Sequence, residues 1–581
     1  MKVYTKYLFA CLFFLHIYRF QAQLPFTLQI LSLQQDELPS KGAYQQRHPN
    51  VKSAKAEIQT YLNSLHADGY LLAGVDSLQT DSFGLKAYIT RNNRFSSAHI
   101  RLGNLQPGLA SRLGIGDLRN RNRYYNQSSI TQQFEKIIRY YENNGYPFVT
   151  VQLDSVEILG NELNAALNVQ KNKFFKIDSI KIIGTAGIKK TFLQRYLSIR
   201  ENMPYNEESF ASISRKIKQL PFLSEVKDQR VQLSDKSNKL LLFLDKKNAS
   251  QFDGIIGLLP DAVTKKTIVT GDVKLKVVNG VFKNGETFDL EWRRLKTQTQ
   301  DFNGRVIYPY LFGTPIGVDY TLKIYRRDTS FIDITNNMGL QYYFSGLNYF
   351  KVFYKQRNTN LISTNGLEIL TSLPDYADIT TQSYGLALFL EKLDYRFNPR
   401  KGTLVNMSIQ TGNRFIRKNP KLNQVVYNSL LLRSAQYQFD CNLAAYLPLV
   451  KNHVLKFGLQ AASVFGNSTV YTNELLRIGG LKTLRGFDEE SIYTSAFVIP
   501  TVEYRFLFAQ NSNLLLFAEG AWYENNGNRR YTSDTPVSLG AGINFETKAG
   551  ILSLNYALGN QFNNGFDPRS GKIHFGLTAL F

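Results

Sequence analysis

From Ser250 to Phe581 apolar and polar residues alternate in short runs separated by polar loops, with little helical periodicity. Ala435, Tyr437, Phe439, Cys441, Leu443, Ala445 and Leu447 share one face, and Ser434, Gln436, Gln438, Asp440 and Asn442 share the other. After a turn at 448–452, Leu455, Phe457, Leu459, Ala461 and Phe465 repeat the pattern. Such alternation predicts strands with one face on each side of a sheet. At roughly 20 residues per strand and loop, this segment predicts about 16 strands. A soluble sandwich would also alternate, but so many aromatic-flanked strands in an exported chain favour a membrane barrel.

Residues 24–248 mix strand and helix periods, and their order repeats. Phe175–Ile182 alternates as a strand. Phe192, Leu193, Tyr196 and Leu197 recur at helical spacing, and a second helix is predicted after Pro204, with Asn206 as N-cap and Phe210, Ile213, Ile217 and Leu220 as its apolar stripe. Two strands close the unit. The order recurs upstream from His99, and more faintly from Leu28; both upstream copies end a helix at Gly-Tyr (Gly69-Tyr70, Gly145-Tyr146). A period of roughly 75 residues repeated three times predicts an internal repeat rather than one generic α+β domain. The expected divisions are 1–23, 24–93, 94–171, 172–248 and 249–581.

Lys2 and Lys6 precede an apolar run over 7–18, and 21–23 supplies a small residue, Ala22, for cleavage. Residues 1–23 therefore read as a secretory signal peptide, so the mature chain leaves the cytoplasm. Lys+Arg 69 against Asp+Glu 46 gives +23. In an exported barrel this spread basic excess reads as solvated surface, with anionic lipid or lipopolysaccharide rather than nucleic acid as the neighbours to expect. Two cysteines exclude a disulfide scaffold, and Cys441 is the one expected to persist. The six histidines are scattered, and no hydrolase elbow, phosphate loop, dinucleotide fingerprint or metal-ligand cluster occurs. No catalytic residue, cofactor or metal is expected.

Between two late strands lies Arg477-Ile478-Gly479-Gly480-Leu481-Lys482-Thr483-Leu484-Arg485-Gly486-Phe487, followed by Val502-Glu503-Tyr504-Arg505-Phe506. The first resembles the long-loop motif of the BamA/TamA superfamily, carried here by Leu484, Arg485, Gly486 and Phe487. Phe517-Ala518-Glu519-Gly520-Ala521 is similar to a strand motif of that family, with Glu for Asp, and 394–402 to one of its periplasmic turns. The resemblance implies POTRA repeats joined to a C-terminal surface-antigen barrel, with a TamA-like count of three repeats. Parity supports it: a charge is expensive toward lipid, so Glu519, Glu503 and Arg505 should face the lumen, where Arg485 meets Glu519 or Glu503. Pro500, unable to donate to a ladder, predicts a bulge or weakened pairing. The alternating end Ile573–Phe581 looks like an outer-membrane sorting signal and closing strand, with His574, Gly576, Ala579 and Phe581 marking it.

The fold expected is thus α+β periplasmic POTRA repeats followed by a transmembrane antiparallel β-barrel of about 16 strands, in the bacterial outer membrane. The resemblance implies an assembly factor that receives unfolded outer-membrane protein clients and inserts them through the barrel seam. It also allows an inner-membrane or lipoprotein partner. The alternative is a two-partner-type secretion pore passing one protein through the lumen; a passive porin fits the repeats and the loop less well.

Overall fold

The computed structural model describes residues 26–32, 44–115, 118–119, 127–234, 236–247, 249–260, 267–296, 299–367, 369–395, 398–527, 531–547, 550–562 and 564–578. The signal segment 1–23, Arg396, Phe397, Ala579 and Phe581 lie outside the described residues. The chain divides into two compact units, Met1–Lys176 with Pro204–Glu207, and Ile177–Met203 with Glu208–Phe581.

The first unit holds two repeats of one topology. Strand Phe26–Ser32 runs parallel to Gly84–Thr90, which pairs antiparallel with Gly74–Thr80. Strand Ser97–Arg101 likewise runs parallel to Glu162–Gln170, which pairs antiparallel with Thr150–Leu159. Helix Val51–Ala67 begins at Asn50, whose side chain accepts from Ser53 N at 2.9 Å. Its Ile58 and Leu62 bury against Leu28, Ile30, Leu85 and Ile89. Helices Pro107–Arg112 and Gln127–Glu142 cover the second sheet in the same way. The shared Gly-Tyr has a shared cause. Gly69 and Gly145 take φ of +98° and +97°, and the following tyrosines return N–H bonds to Leu65 O and Tyr141 O at 2.9 and 3.0 Å. Each closes its helix with a left-handed residue that glycine adopts without a Cβ clash.

The second unit contains the third repeat and the barrel. Strand Ser179–Ile183 is parallel to Lys239–Lys246, which pairs antiparallel with Leu223–Gln232, so the POTRA-like topology appears a third time. The single second helix expected here is two pieces, Glu207–Ala211 and Ile213–Lys218, and Leu220 lies beyond them. The Ser212 hydroxyl between them donates to Ser209 O at 2.7 Å, while Ser212 N still bonds Glu208 O at 3.1 Å, so the interruption is slight. Phe210, Ile213, Ile217 and Leu220 are nonetheless all buried. The repeat packs on the barrel turns. Phe192 meets Tyr310 edge-on at 5.6 Å, Lys189 N donates to Lys283 O at 2.7 Å, and Asn279 Nδ2 donates to Gly187 O at 2.9 Å.

The barrel sheet runs from Gln251–Pro260 to Lys572–Thr578 in chain order, every neighbour antiparallel. Two of its strands are interrupted, Ser512–Gly520 with Trp522–Asn525, and Thr532–Asp534 with Val537–Thr547, and counting each as one gives 16. Pro500 sits opposite the first interruption. Its ladder with His453–Gly466 is regular, and register is also kept across the break, from Val498↔Trp522 to Thr501↔Glu519. The consequence of the missing donor is therefore a broken partner strand rather than a bulge. Outward residues are apolar: Met338, Leu340, Tyr342, Tyr384 and Leu386 are exposed. Inward residues carry charge in pairs, with Asp319 held by Arg305 and Lys351 at 2.9 and 3.1 Å and buried Arg414 forked onto Glu474 at 2.7 and 2.7 Å. Among the described residues no helix is long and apolar enough to cross a membrane.

Candidate functional site: the loop folded into the lumen

Strands His453–Gly466 and Ala496–Ala509 are joined by residues 467–495, which include a short hairpin of Leu476–Ile478 and Ile492–Thr494. The hairpin's apolar side chains turn inward. Ile478, Leu484, Phe487 and Ile492 bury with Ala462, Phe497, Ile499 and Tyr523 of the wall. Leu484 is fully enclosed, which fixes the backbone on the N-terminal side of Arg485. Gly479, Gly480 and Gly486 all have positive φ, so the tip turns where a side chain would strain it.

Arg485 is 7% exposed. Its backbone N donates to Glu519 Oε2 at 2.8 Å, and its Nε and Nη2 donate to Glu519 Oε1 at 2.7 and 2.5 Å. Nη2 also reaches Glu503 Oε2 at 3.3 Å. Both acids are therefore partners, but unequally, and the longer Glu side chain still meets the guanidinium. Glu503 is shared with Arg505 Nε at 2.5 Å and Lys456 Nζ at 3.6 Å. Two carboxylates thus face three cations, and each buried carboxylate has a cationic partner, as a buried charge requires. The guanidinium also lies over the Phe517 ring, 3.5 Å from its centroid. Glu519 and Phe517 face inward two residues apart on one strand, while Leu514 and Leu516 face out.

The tip also reaches the last strand. Gly486 N donates to His574 Nε2 at 3.0 Å, and Asp488 pairs with Lys572 at 2.8 Å. Gly576 leaves room for Leu481, since a Cβ there would lie 2.9 Å from Leu481 Cδ2. Thus the structure brings Arg485, Gly486, Glu519, Glu503, His574 and Gly576 around one loop. The parity argument placed the acids inward but missed Phe517 as a platform, Lys456 as a third cation and His574 as the loop's acceptor. The alternation of Ile573, Phe575 and Leu577 with His574 and Gly576 was the signal that His574 points inward, and Ile573 is exposed accordingly. The cluster has no arrangement of nucleophile and base; what it does is hold a folded loop.

A β-barrel whose lumen holds such a loop, preceded by repeats of one α/β topology, defines an outer-membrane barrel of the POTRA-bearing class. The Omp85 superfamily domain matches residues 280–581, more than half of the chain, and the chain belongs to that superfamily. Among solved structures the chain is similar to CdiB from Escherichia coli, with 14% identity and a TM-score of 0.50 over 90% of this chain and 96% of that one. It is similar also to BamA from Haemophilus ducreyi lacking POTRA domains 1-3 (15%, TM-score 0.41, 83% and 98%) and to CdiB from Acinetobacter baumannii (12%, TM-score 0.47, 83% and 88%). These identities speak to fold alone. No curated protein matches the sequence.

Proposed function

We propose that this protein inserts client proteins into the outer membrane, its three repeats standing in the periplasm and its seam, between Gln251–Pro260 and Lys572–Thr578, accepting client strands. The observation that carries this reading is the loop itself. Leu484, Arg485 and Phe487 occupy the lumen, and Arg485 is fastened to two wall strands by charge-assisted hydrogen bonds. A conduit for a folded or extended protein through the lumen requires that assembly to be dismantled. A route through the wall leaves the fastening of Arg485 to those two strands intact.

The repeats supply a second support. Each sheet has an edge strand with exposed apolar residues: Val75 and Leu78, then Val156, Ile158 and Leu159, then Val226. Open edges of this kind pair with an extended client through main-chain hydrogen bonds. Unfolded outer-membrane proteins are the partners this favours, with outer-membrane lipid around the barrel. The test is depletion followed by comparison of the outer-membrane proteome with the secreted proteins. Loss of many barrels is expected; loss of one secreted protein with the outer membrane unchanged would establish the two-partner secretion reading instead.

A further inference from the structure

We infer that the tip of the lumenal loop is a latch on the terminal strand, with His574 as its positioning residue. The inference deepens the seam reading and rests on it for its functional meaning. Lys572, His574 and Gly576 alternate along the inward face of strand Lys572–Thr578, and each meets a different residue of the tip. Lys572 pairs with Asp488, His574 accepts from Gly486 N, and Gly576 makes space for Leu481. The neighbouring strand contributes a fourth contact, because a Cβ on Gly559 would lie 2.8 Å from Phe487 Cζ.

Three chemistries thus converge on one short strand from one loop: an ion pair, a hydrogen bond and steric fit. On its other inward-facing side the tip is fastened by Arg485 to Glu519 and Glu503. The loop therefore ties the terminal strand to the wall strands Ser512–Gly520 and Ala496–Ala509 across the lumen, in addition to the strand's own ladder with Gly550–Asn560. The His574 bond has one polarity. Gly486 N is a donor only, so Nε2 must be the unprotonated nitrogen, and the imidazole is held in the tautomer with its proton on Nδ1. A cavity of about 690 Å³ lies beside the tip, lined by Phe487, Asp488, Tyr493, Tyr523 and Lys572. It gives the tip room to withdraw without crossing the wall. Releasing the terminal strand then requires breaking the tip contacts as well as the ladder, which couples the loop's position to the seam.

The test is hydrogen exchange of the full-length protein in lipid nanodiscs, read on peptides covering 572–578. His574→Leu removes the acceptor, and about tenfold faster exchange is expected there, the loss of one hydrogen bond. His574→Gln presents an amide oxygen at similar reach and is expected to restore the wild-type rate. Peptides from strand Arg433–Val450 should not change in either variant. Unchanged exchange in His574→Leu, or exchange in His574→Gln as fast as in His574→Leu, overturns the latch. If His574→Leu does not assemble, the ion pair decides. Asp488→Lys should accelerate exchange and the double variant Asp488→Lys/Lys572→Asp should reverse it; failure of either step overturns the proposal. Client insertion is scored separately: entry through the seam predicts an altered insertion rate once the terminal strand is loosened, so faster exchange with an insertion rate equal to wild type supports the latch while removing the seam reading.

Discussion

Arg485 grips Glu519 through three hydrogen bonds, one from its backbone N–H and two from its guanidinium, so the loop's main chain and side chain are fixed by the same carboxylate. This differs from a side-chain ion pair alone. Replacing the arginine removes the fork and the cation over Phe517, but leaves the backbone bond able to form. Replacing the carboxylate weakens both.

Arg485→Ala is accordingly expected to destabilise the barrel by about 3–5 kcal/mol, because it strips a buried partner from Glu519 and leaves that charge enclosed. Glu519→Gln should cost less than Arg485→Ala, since the amide still accepts from Arg485 and Glu503 still faces it. Glu503→Gln should shift stability least toward the loop, because Glu503 touches Arg485 through a single bond of 3.3 Å. Heat-modifiable migration of the purified variants gives the order. Arg485→Lys tests geometry: a point charge cannot fork onto Glu519, and recovery of less than half the loss is expected.

Gly486→Ala addresses the turn without changing charge. The residue has φ of +86°, and a Cβ there would lie 2.9 Å from Gly559 N and 3.0 Å from Leu558 C, both backbone atoms. Strain and a contact that cannot be relieved by a side-chain rotation should together cost about 1–3 kcal/mol. The loop should become accessible to protease between 476 and 494, with the barrel itself still resistant.

The turn 279–286 offers a pH-dependent prediction. Burial pushes the Glu286 carboxyl upward, but the backbone N–H groups of Asn284, Phe282 and Val281 outweigh it and hold the carboxyl below its ordinary range. A carboxylate depressed in the folded state adds stability that is complete above its unfolded pKa and is lost as pH falls through the folded one. Below about pH 4, the turn should loosen and release Asn279 and Lys283, which bond the third repeat. Glu286→Gln should loosen it at neutral pH and flatten the acid dependence. Hydrogen exchange of 279–286 between pH 3 and 7, about the range set by carboxylate titration, reads both effects.

What the sequence made legible follows from where physical constraints are local. A period of two put Glu519, Glu503 and Arg505 on the face away from Leu514, Leu516 and Tyr504, because lipid disfavours charge on the outward face of a spanning strand. The Gly-Tyr helix ends were visible because a left-handed residue needs glycine at that one place. The break at Ser212 was not, since the apolar spacing of Phe210, Ile213 and Ile217 is compatible with one helix. Pro500 signalled a weak point correctly, but its effect falls on the strand opposite. The contact of Gly486 with His574 joins residues 88 positions apart, and no spacing rule relates a loop tip to a strand across a lumen. The BamA/TamA resemblance located the loop; the partner on the terminal strand needed coordinates.

The central claim, that client strands enter through the wall, is tested most directly by locking the wall. In a Cys441→Ser background, needed because Cys441 is a free thiol, a disulfide is engineered between facing positions of strands Gln251–Pro260 and Lys572–Thr578. Client insertion is then measured in reconstituted membranes, oxidised and after reduction. The account predicts that insertion stops in the crosslinked protein and returns on reduction. Insertion at the uncrosslinked rate in fully crosslinked protein would contradict it and point to passage through the lumen.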